Sequence, residues 1–352
     1  MGEQFQDNNR SNRDSLEEKG IKTGLRVHLD ESQKPTIPMS PSTEAEQQLT
    51  QGIQARKARK FDIAKEYFEQ ALISYEFLDN QPKIARIYCF LGLTLYSLGD
   101  YQQAIQYNQQ SLAIAGTINN PRLMGQVLGN LGNAYRHLGD YDRAIEYQQQ
   151  SLEIAQQQED SAAQMAAWNN LGLAHKARGD GEDALDCQKH SFALAKSLRD
   201  RETMVQILKN LGNACYALGD YRQAIEYYEE RLLLAQEQGN QRMQGQILRN
   251  LVNACYTLGD YQCAIVYSEQ RLANARLIAD YRAEEQALSS LGNAYEAIGN
   301  YPQAVHCYEQ RLNVARAISD ERVEKQTLDN LRITCYALGD YAKILQYQEV
   351  LD

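Results

Sequence analysis

The sequence predicts an all-α solenoid, a fold in which pairs of helices stack along one direction. Three observations predict it: a fixed period of forty residues, two helix-ending breaks in each period, and a composition that favours helices. The 352 residues include only 6 prolines, and Ala, Leu, Gln and Glu are frequent. These residues lose little side-chain freedom in a helix, and no segment shows the alternating pattern of a strand.

The period is defined by a leucine that recurs every forty residues without insertion or deletion. Its positions are Leu91, Leu131, Leu171, Leu211, Leu251, Leu291 and Leu331. A fixed period of this length is typical of proteins in which each repeat forms one supersecondary unit. We therefore expect about eight tandem units, which start at residues 45, 85, 125, 165, 205, 245, 285 and 325.

Two breaks divide each unit into two helices. In the unit that starts at 125, Gly139 suits the left-handed conformation that closes one helix, and Asp140 suits the cap of the next. A second cap residue occurs once per period, and this set is Asn80, Asn120, Asp160, Asp200, Asn240, Asp280 and Asp320. Each unit is thus predicted to contain two helices of about eighteen residues joined by tight turns.

Small and apolar residues at fixed places predict the core between the helices. Leu128, Leu131 and Tyr135 recur at spacings of three and four, which indicates an amphipathic helix. Glycine follows the leucine in most units, as at Gly132, and would allow helices to approach closely. Where the second helices carry an arginine instead of a small residue, we expect its stem to pack along the core and its charge to reach water or an acidic neighbour. These residues are Arg231, Arg271 and Arg311.

Seven cysteines lack the Cys-x-x-Cys spacing of a zinc site. Cys215, Cys255 and Cys335 fall at one repeat position, which is typical of small buried side chains. We expect the cysteines to be free, buried thiols with no metal.

The pattern resembles the tetratricopeptide repeat, whose Leu-Gly-x-x-Tyr and Gly-Asp-Tyr positions recur as Leu131 to Tyr135 and Gly139 to Tyr141. The resemblance covers about residues 45–352. The forty-residue form is similar to repeats of the Pins-type G-protein-signalling modulators and of bacterial, including cyanobacterial, arrays; the acidic Gα-binding motifs of the Pins-type proteins are absent. The resemblance implies a right-handed superhelix whose inner wall comes from the first helix of each unit.

Residues 1–44 lack the period and are rich in polar residues, which predicts a disordered leader.

The resemblance also implies which residues line the inner wall, at positions 2, 5, 6, 9, 12 and 13 of each unit. Three of these positions carry carboxamides: Gln126, Gln206, Gln246 and Gln286 at position 2, Asn130, Asn170, Asn210 and Asn250 at position 6, and Asn133, Asn213, Asn253 and Asn293 at position 9. A carboxamide offers two donors and an acceptor, which suits the backbone of a bound peptide. The alternative, that some of these asparagines bond to the chain itself, stays open.

Positions 5 and 12 vary among the units and would determine specificity. They provide the basic residues Arg136, Lys176, Lys209 and Arg249, with Tyr216 and Tyr256 beside them. In a protein of net charge −10, such a basic group predicts a ligand with carboxylates. The alternative is ordinary solvated charge, neutralised by nearby glutamates.

Composition and missing motifs exclude several classes of function. The net charge of −10 argues against a nucleic-acid partner. No apolar run is long enough to insert in a membrane, and the N-terminus lacks the apolar region of a signal peptide, so we expect a cytoplasmic protein. The sequence has no phosphate-binding glycine loop, no His-Glu-x-x-His and no Gly-x-Ser-x-Gly, so we expect no enzyme activity and no cofactor.

The leading functional hypothesis is a non-catalytic scaffold that binds an extended or helical, acidic partner peptide in its concave groove. One alternative is a bacterial regulator gated by a small peptide. Another is an adaptor that self-assembles through a C-terminal apolar edge formed by Ile344, Leu345, Val350 and Leu351.

Overall fold

A computed structural model of the chain describes residues 41–348, which contain sixteen α-helices in tandem and no strand. The helices are α1 (Pro41–Lys57), α2 (Phe61–Phe77), α3 (Gln81–Leu98), α4 (Tyr101–Thr117), α5 (Pro121–His137), α6 (Tyr141–Gln157), α7 (Ser161–Arg178), α8 (Gly181–Leu198), α9 (Arg201–Ala217), α10 (Tyr221–Glu237), α11 (Gln241–Leu258), α12 (Tyr261–Leu277), α13 (Tyr281–Ala297), α14 (Tyr301–Ala317), α15 (Glu321–Leu338) and α16 (Tyr341–Gln348). The predicted all-α solenoid is confirmed. The predicted leader lies outside the described residues, except for residues 41–44, which begin α1.

The helices end where the sequence predicts. The side chain of Asn120 accepts a hydrogen bond from the backbone N–H of Leu123 at 3.1 Å and thereby caps α5. At the other end of α5, Gly139 adopts the left-handed conformation, with φ of 82°, and closes the turn that leads into α6. Asp180 is an exception, because its carboxylate bonds to side chains instead of the backbone of α8.

The helices form two layers. Each helix packs on the next along the chain, and α3 also contacts α5, α5 contacts α7, and α11 contacts α13. Contacts of this extent are not made among the even-numbered helices of the described chain. Because the odd-numbered helices lie nearer to one another, they form the inner layer of the stack, and their outward side chains line its concave face.

The glycine that follows the repeated leucine on the odd-numbered helices is matched in size by a large residue on the second helix of the unit. A Cβ atom added to Gly132 would lie 2.5 Å from Nε2 of Gln148, and one added to Gly212 would lie 2.4 Å from the ring of Tyr228. In the unit where Val252 replaces the glycine, the residue sixteen positions later is Ser268. The larger residue of the pair therefore stands on one helix or on the other, and the two helices can approach closely in the units between residues 45 and 324.

The expectation that the charges of the three core arginines of the even-numbered helices reach water is wrong. Arg231, Arg271 and Arg311 are only 5%, 5% and 4% exposed. Arg311 pairs with the equally buried Glu285 at 2.6 Å, so the expected acidic neighbour is present for this residue. Arg231 instead donates to the backbone carbonyl of Val205 in α9, and Arg271 donates to the side chain of Gln286 in the next unit.

The prediction that the cysteines are free thiols is wrong for two of the seven. Cys255 at the end of α11 and Cys263 at the start of α12 form a disulfide, whereas Cys89, Cys187, Cys215, Cys307 and Cys335 are free and buried. The two bonded positions face each other across the turn, eight residues apart. In the preceding unit the equivalent pair is also in contact, with Sγ of Cys215 3.4 Å from Oε1 of Gln223.

The C-terminal edge is described in part. Ile344 is half-buried and Leu345 is 62% exposed on α16. Val350 and Leu351, which the predicted edge also includes, lie outside the described residues. Among the helices between residues 41 and 348, none combines the length and the apolarity that a bilayer span requires.

Candidate functional site

The candidate site is the exposed face of the odd-numbered helices, where the carboxamide rows lie. Gln126, Gln206 and Gln246 at position 2 are exposed. Gln286 is exposed as well, but its Oε1 accepts a hydrogen bond from Arg271 at 2.7 Å. Position 2 therefore offers free carboxamides in three of its four predicted units and a tethered one in the fourth.

The asparagines at position 9 mainly bond to the second helix of their own unit. Oδ1 of Asn213 accepts from the Tyr228 hydroxyl at 2.8 Å, and Oδ1 of Asn293 accepts from the Tyr308 hydroxyl at 2.8 Å. Asn133 makes a longer contact of 3.4 Å with Gln148. Asn253, whose unit has a short serine at that place, is exposed. These bonds occupy the acceptor oxygen and leave the amide hydrogens for a ligand.

The asparagines at position 6 are half-buried between adjacent units. Nδ2 of Asn210 lies 3.4 Å from Oδ1 of Asn169, and Nδ2 of Asn130 lies 3.5 Å from Sγ of Cys89. Asn170 and Asn250 are half-buried in the same row. Both functions considered for this row, ligand contact and internal bonding, are compatible with these long and weak contacts.

The structure brings four of the predicted residues together in one cavity of about 630 Å³ on the inner layer. This cavity, which we name the α3–α7 cavity, lies between α3, α5, α6 and α7 and includes Gln126, Asn130, Asn133 and Asn170. Its space results from small residues such as Gly125, Gly129, Ala162, Ala163, Ala166 and Ala167. Sequence reasoning missed this cavity, although one signal was visible: Ala166 stands where five other units carry glutamine.

The rim of the α3–α7 cavity is cationic. Arg86 and Arg122 line it, and the guanidinium groups of Arg86 and Arg56 lie 5.4 and 5.9 Å from the centre of the Phe90 ring. None of the three arginines forms an ion pair with a carboxylate of residues 41–348. The acidic residue in the lining is Asp160, whose Oδ1 already accepts a hydrogen bond from the backbone at the start of α7.

The basic residues predicted for the middle of the groove lie elsewhere on the inner layer. Lys176, Lys209 and Arg249 are exposed and do not line the α3–α7 cavity. Burial, and then the charge of Arg249, lower the pKa of Arg271 to about 10. The three side chains are exposed, and their role as ligand contacts stays a prediction.

Arg136 and Tyr216 contact neighbouring side chains. Nη2 of Arg136 is 3.1 Å from Nε2 of His137, and partial burial together with this arginine lowers the pKa of His137. The Tyr216 hydroxyl is 3.2 Å from Oγ1 of Thr257 in the next unit. The Tyr216 contact joins α9 to α11 in the next unit, whereas the Arg136 contact lies within α5.

A second cavity, of about 490 Å³, lies between α11, α13 and α15 and brings the predicted residues Tyr256 and Asn293 together. Glu296 lines this α11–α15 cavity. Its carboxylate accepts hydrogen bonds from the Tyr308 hydroxyl at 3.0 Å and from the Thr334 hydroxyl. The two ends of the inner layer thus differ in charge, with arginines at the first cavity and a glutamate at the second.

One group in the described part of the chain has the composition of a metal site. His175, Asp180 and Asp183 place a ligand atom each within 4.8 Å of one another near the turn between α7 and α8. Hydrogen bonds from His175 and Arg178 lower the pKa of Asp180. Because Arg178 already bonds to this carboxylate, the group is a salt-bridged helix turn and not an open set of ligands.

The stacked helix pairs and the side-chain-lined inner layer define the chain as a repeat-type α-solenoid. Models of the family described as tetratricopeptide repeat match residues 45–116, 123–197, 163–237, 203–277 and 287–322. These ranges together cover more than half of the chain. The chain therefore belongs to the tetratricopeptide repeat family.

Solved structures of the same fold include three relevant neighbours. The sensor-bearing signal transduction ATPase with numerous domains from Pyrococcus horikoshii has a TM-score of 0.59 at 18% identity, over 87% of this chain and 46% of that one. This chain thus spans about half of the ATPase. A Rap protein complexed with competence and sporulation factor has a TM-score of 0.54 at 19% identity, over 80% and 78% of the two chains.

The third neighbour is the apo form of the quorum sensor NprR from B. thuringiensis, with a TM-score of 0.51 at 15% identity over 87% and 86% of the two chains. These likenesses establish the fold. A search of the curated proteins gave no match.

Proposed function

We propose that this chain is a non-catalytic scaffold that binds an extended or helical, acidic segment of a partner protein on the inner layer. The observation that carries the proposal is the α3–α7 cavity with its arginine rim, which lies on the same face as the exposed glutamines. Concave repeat surfaces of this kind bind extended ligands along their length. Unpaired cations in an acidic protein favour a ligand that supplies carboxylates.

The carboxamides give the proposed binding mode. Gln126, Gln206 and Gln246 are exposed at spacings of whole units, so they can donate to and accept from the backbone of a segment that runs along the stack. Lys209 and Arg249 stand on α9 and α11 beside these glutamines and would attract its carboxylates. Such contacts provide specificity and a faster encounter more than raw affinity.

The test compares an inner-layer variant with a matched outer variant in quantitative pulldown from a native extract. Lys209→Glu with Arg249→Glu reverses two charges on the inner layer, and Lys196→Glu with Arg222→Glu makes the same change on exposed residues of α8 and α10. We expect the first variant to lose partners that the second retains, with equal helical circular dichroism. Equal recovery of all partners by both variants would refute the groove assignment.

A regulator gated by a small peptide is the second candidate. It is supported by the fold shared with a Rap protein in complex with competence and sporulation factor and with a Rap conjugation gene regulator in complex with the Phr* peptide. In this form of the proposal the partner segment is a free peptide, and the sensitivity of the chain to limited proteolysis should fall when the peptide binds. If no short peptide changes the cleavage pattern, the regulator proposal fails and the scaffold proposal stands.

A further inference from the structure

We propose that the α3–α7 cavity is an anchor pocket for one large apolar side chain, preferably aromatic, of the partner segment. Carboxylates on either side of this anchor would pair with Arg86 and Arg122 on the rim. This inference rests on the proposed function, because it states the chemistry of the segment that the inner layer binds.

The size of the cavity supports an anchor. Its volume of about 630 Å³ falls within the range of roughly 300–1,000 Å³ that ligand pockets have. This is enough space for an aromatic side chain together with the backbone that carries it. The space is a local feature of α5 and α7, because the positions of Gly129 and Ala166 hold lysine, arginine or glutamine in the units that start at 205 and 245.

The wall of the cavity supports an apolar side chain. Phe90 and Leu93 of α3 and Ile154 of α6 line it together with the alanines of α7. Asn130 and Asn170 provide a few polar groups beside this surface. An apolar wall with few polar groups binds an apolar side chain and orients its backbone by hydrogen bonds.

The charges on the rim support acidic neighbours of the anchor. Arg86 and Arg122 are exposed, and neither forms an ion pair with a carboxylate of residues 41–348; the carboxylate near Arg86, that of Glu46, is paired with Lys83. Asp160 is the acidic group of the lining and is engaged as a helix cap. Two cations with one capped carboxylate, in a chain of net charge −10, favour an acidic segment over a basic one.

Two pairs of substitutions test the anchor and the rim separately. Ala166→Gln introduces the residue that other units carry at this position, and Gly129→Ala adds a Cβ whose nearest atom, Oγ of Ser151, is 3.5 Å away. Both changes take up part of the cavity and are compatible with the helix. Arg86→Gln with Arg122→Gln removes the charge of the rim. The matched controls are Ala193→Gln on α8 and Lys196→Gln with Arg222→Gln, all at exposed positions.

The probe is a positional-scanning library of fluorescent heptapeptides, in which the central and the flanking residues vary, measured by anisotropy on the full chain. We expect selection of Phe, Tyr, Trp or Leu at the centre and of Asp or Glu beside it. For the selected peptide, the filled cavity should weaken binding by about tenfold or more, as loss of one buried aromatic side chain implies. The arginine variant should weaken binding by roughly fivefold and flatten its dependence on salt.

The following outcomes would overturn the inference or a part of it. Selection of small or basic residues, or equal affinity of the filled and unfilled cavities, would refute the anchor and leave the scaffold proposal intact. Equal salt dependence of the arginine variant and its control would refute the acidic flanks. Binding that appears only after deletion of residues 1–40 would show that the chain's own N-terminal segment occupies the cavity. If no peptide binds to any variant, the anchor is refuted, and the scaffold proposal is decided separately by the pulldown of Lys209→Glu with Arg249→Glu against its control.

Discussion

The match between Gly212 and Tyr228 predicts a strong energetic coupling between two residues of one unit. A Cβ on Gly212 would lie 2.4 Å from the Tyr228 ring, a distance that real Cβ contacts do not reach. The ring is only 2% exposed, and its hydroxyl bonds to Asn213, so it cannot move away without losing both. The next unit solves the same packing problem with Val252 and Ser268.

The perturbation therefore introduces the residue pair of the unit that starts at 245 into the unit that starts at 205. Gly212→Val alone should overpack the helix pair and cost about 1–3 kcal/mol or more. Tyr228→Ser alone should leave a cavity and cost roughly 3–5 kcal/mol, by analogy with other losses of a buried aromatic ring. In the double variant the valine occupies part of the space that the ring leaves, so we expect the cost of the double variant to be lower than the sum by about 2 kcal/mol or more.

The assay is native-state hydrogen exchange of amides in α9 and α10. It reports the free energy of opening of this unit, whereas a global unfolding curve mixes the steps of a repeat array that does not unfold in one transition. A coupling below about 0.5 kcal/mol, which is the usual deviation from additivity for independent sites, would refute the reasoning. Helical circular dichroism of each variant establishes that the chain is folded.

Three further results are expected. Arg311→Ser should destabilise the chain by about 3–5 kcal/mol in chemical denaturation, because it leaves the carboxylate of Glu285 buried without a partner, and adding Glu285→Ala should restore most of the loss; equal stability of the single and double variants would contradict this. By NMR, the pKa of His137 should lie below its ordinary 6.5, because burial and Arg136 disfavour its charged form. Since the unfolded chain then binds the proton more readily, stability around α5 should fall as the pH drops below about 6.5, and a midpoint at or above that value would contradict it. If the C-terminal edge self-associates, Leu345→Glu should lower the molar mass measured by light scattering, whereas an unchanged mass would exclude this edge as an interface.

The repeating part of the fold was predictable from the sequence because most units have the same residues at the helix ends and in the core. Asn120 and Gly139 have local functions, a cap and a left-handed turn, that depend on their own backbone and not on distant parts of the chain. The buried leucines, such as Leu131, recur for the same reason at each interface between units.

Contacts that cross a turn or a layer were not predictable from local patterns. The disulfide joins Cys255 to Cys263 because the last turn of α11 faces the first turn of α12. The separation of eight residues is not one that the spacing rules for metal sites contain. In the same way, Asn213 was predicted as a ligand residue from its position on the inner wall. Its hydrogen bond depends on the Tyr228 hydroxyl, which reaches it from a different helix.

The candidate site follows from departures from the repeat. Core positions are constrained alike in each unit, because each helix pair packs on a similar pair, and a change there needs a partner change such as that of Val252 and Ser268. Inner-layer positions that face the concave side are less constrained, since their side chains do not pack into the core between helices. Gly129 and Ala166 are such departures, and they open a cavity where other units have long side chains. In a repeat array of this kind, the units that differ most on the inner layer are best suited to distinguish ligands, which is why we propose that the specificity of this chain lies between α3 and α7.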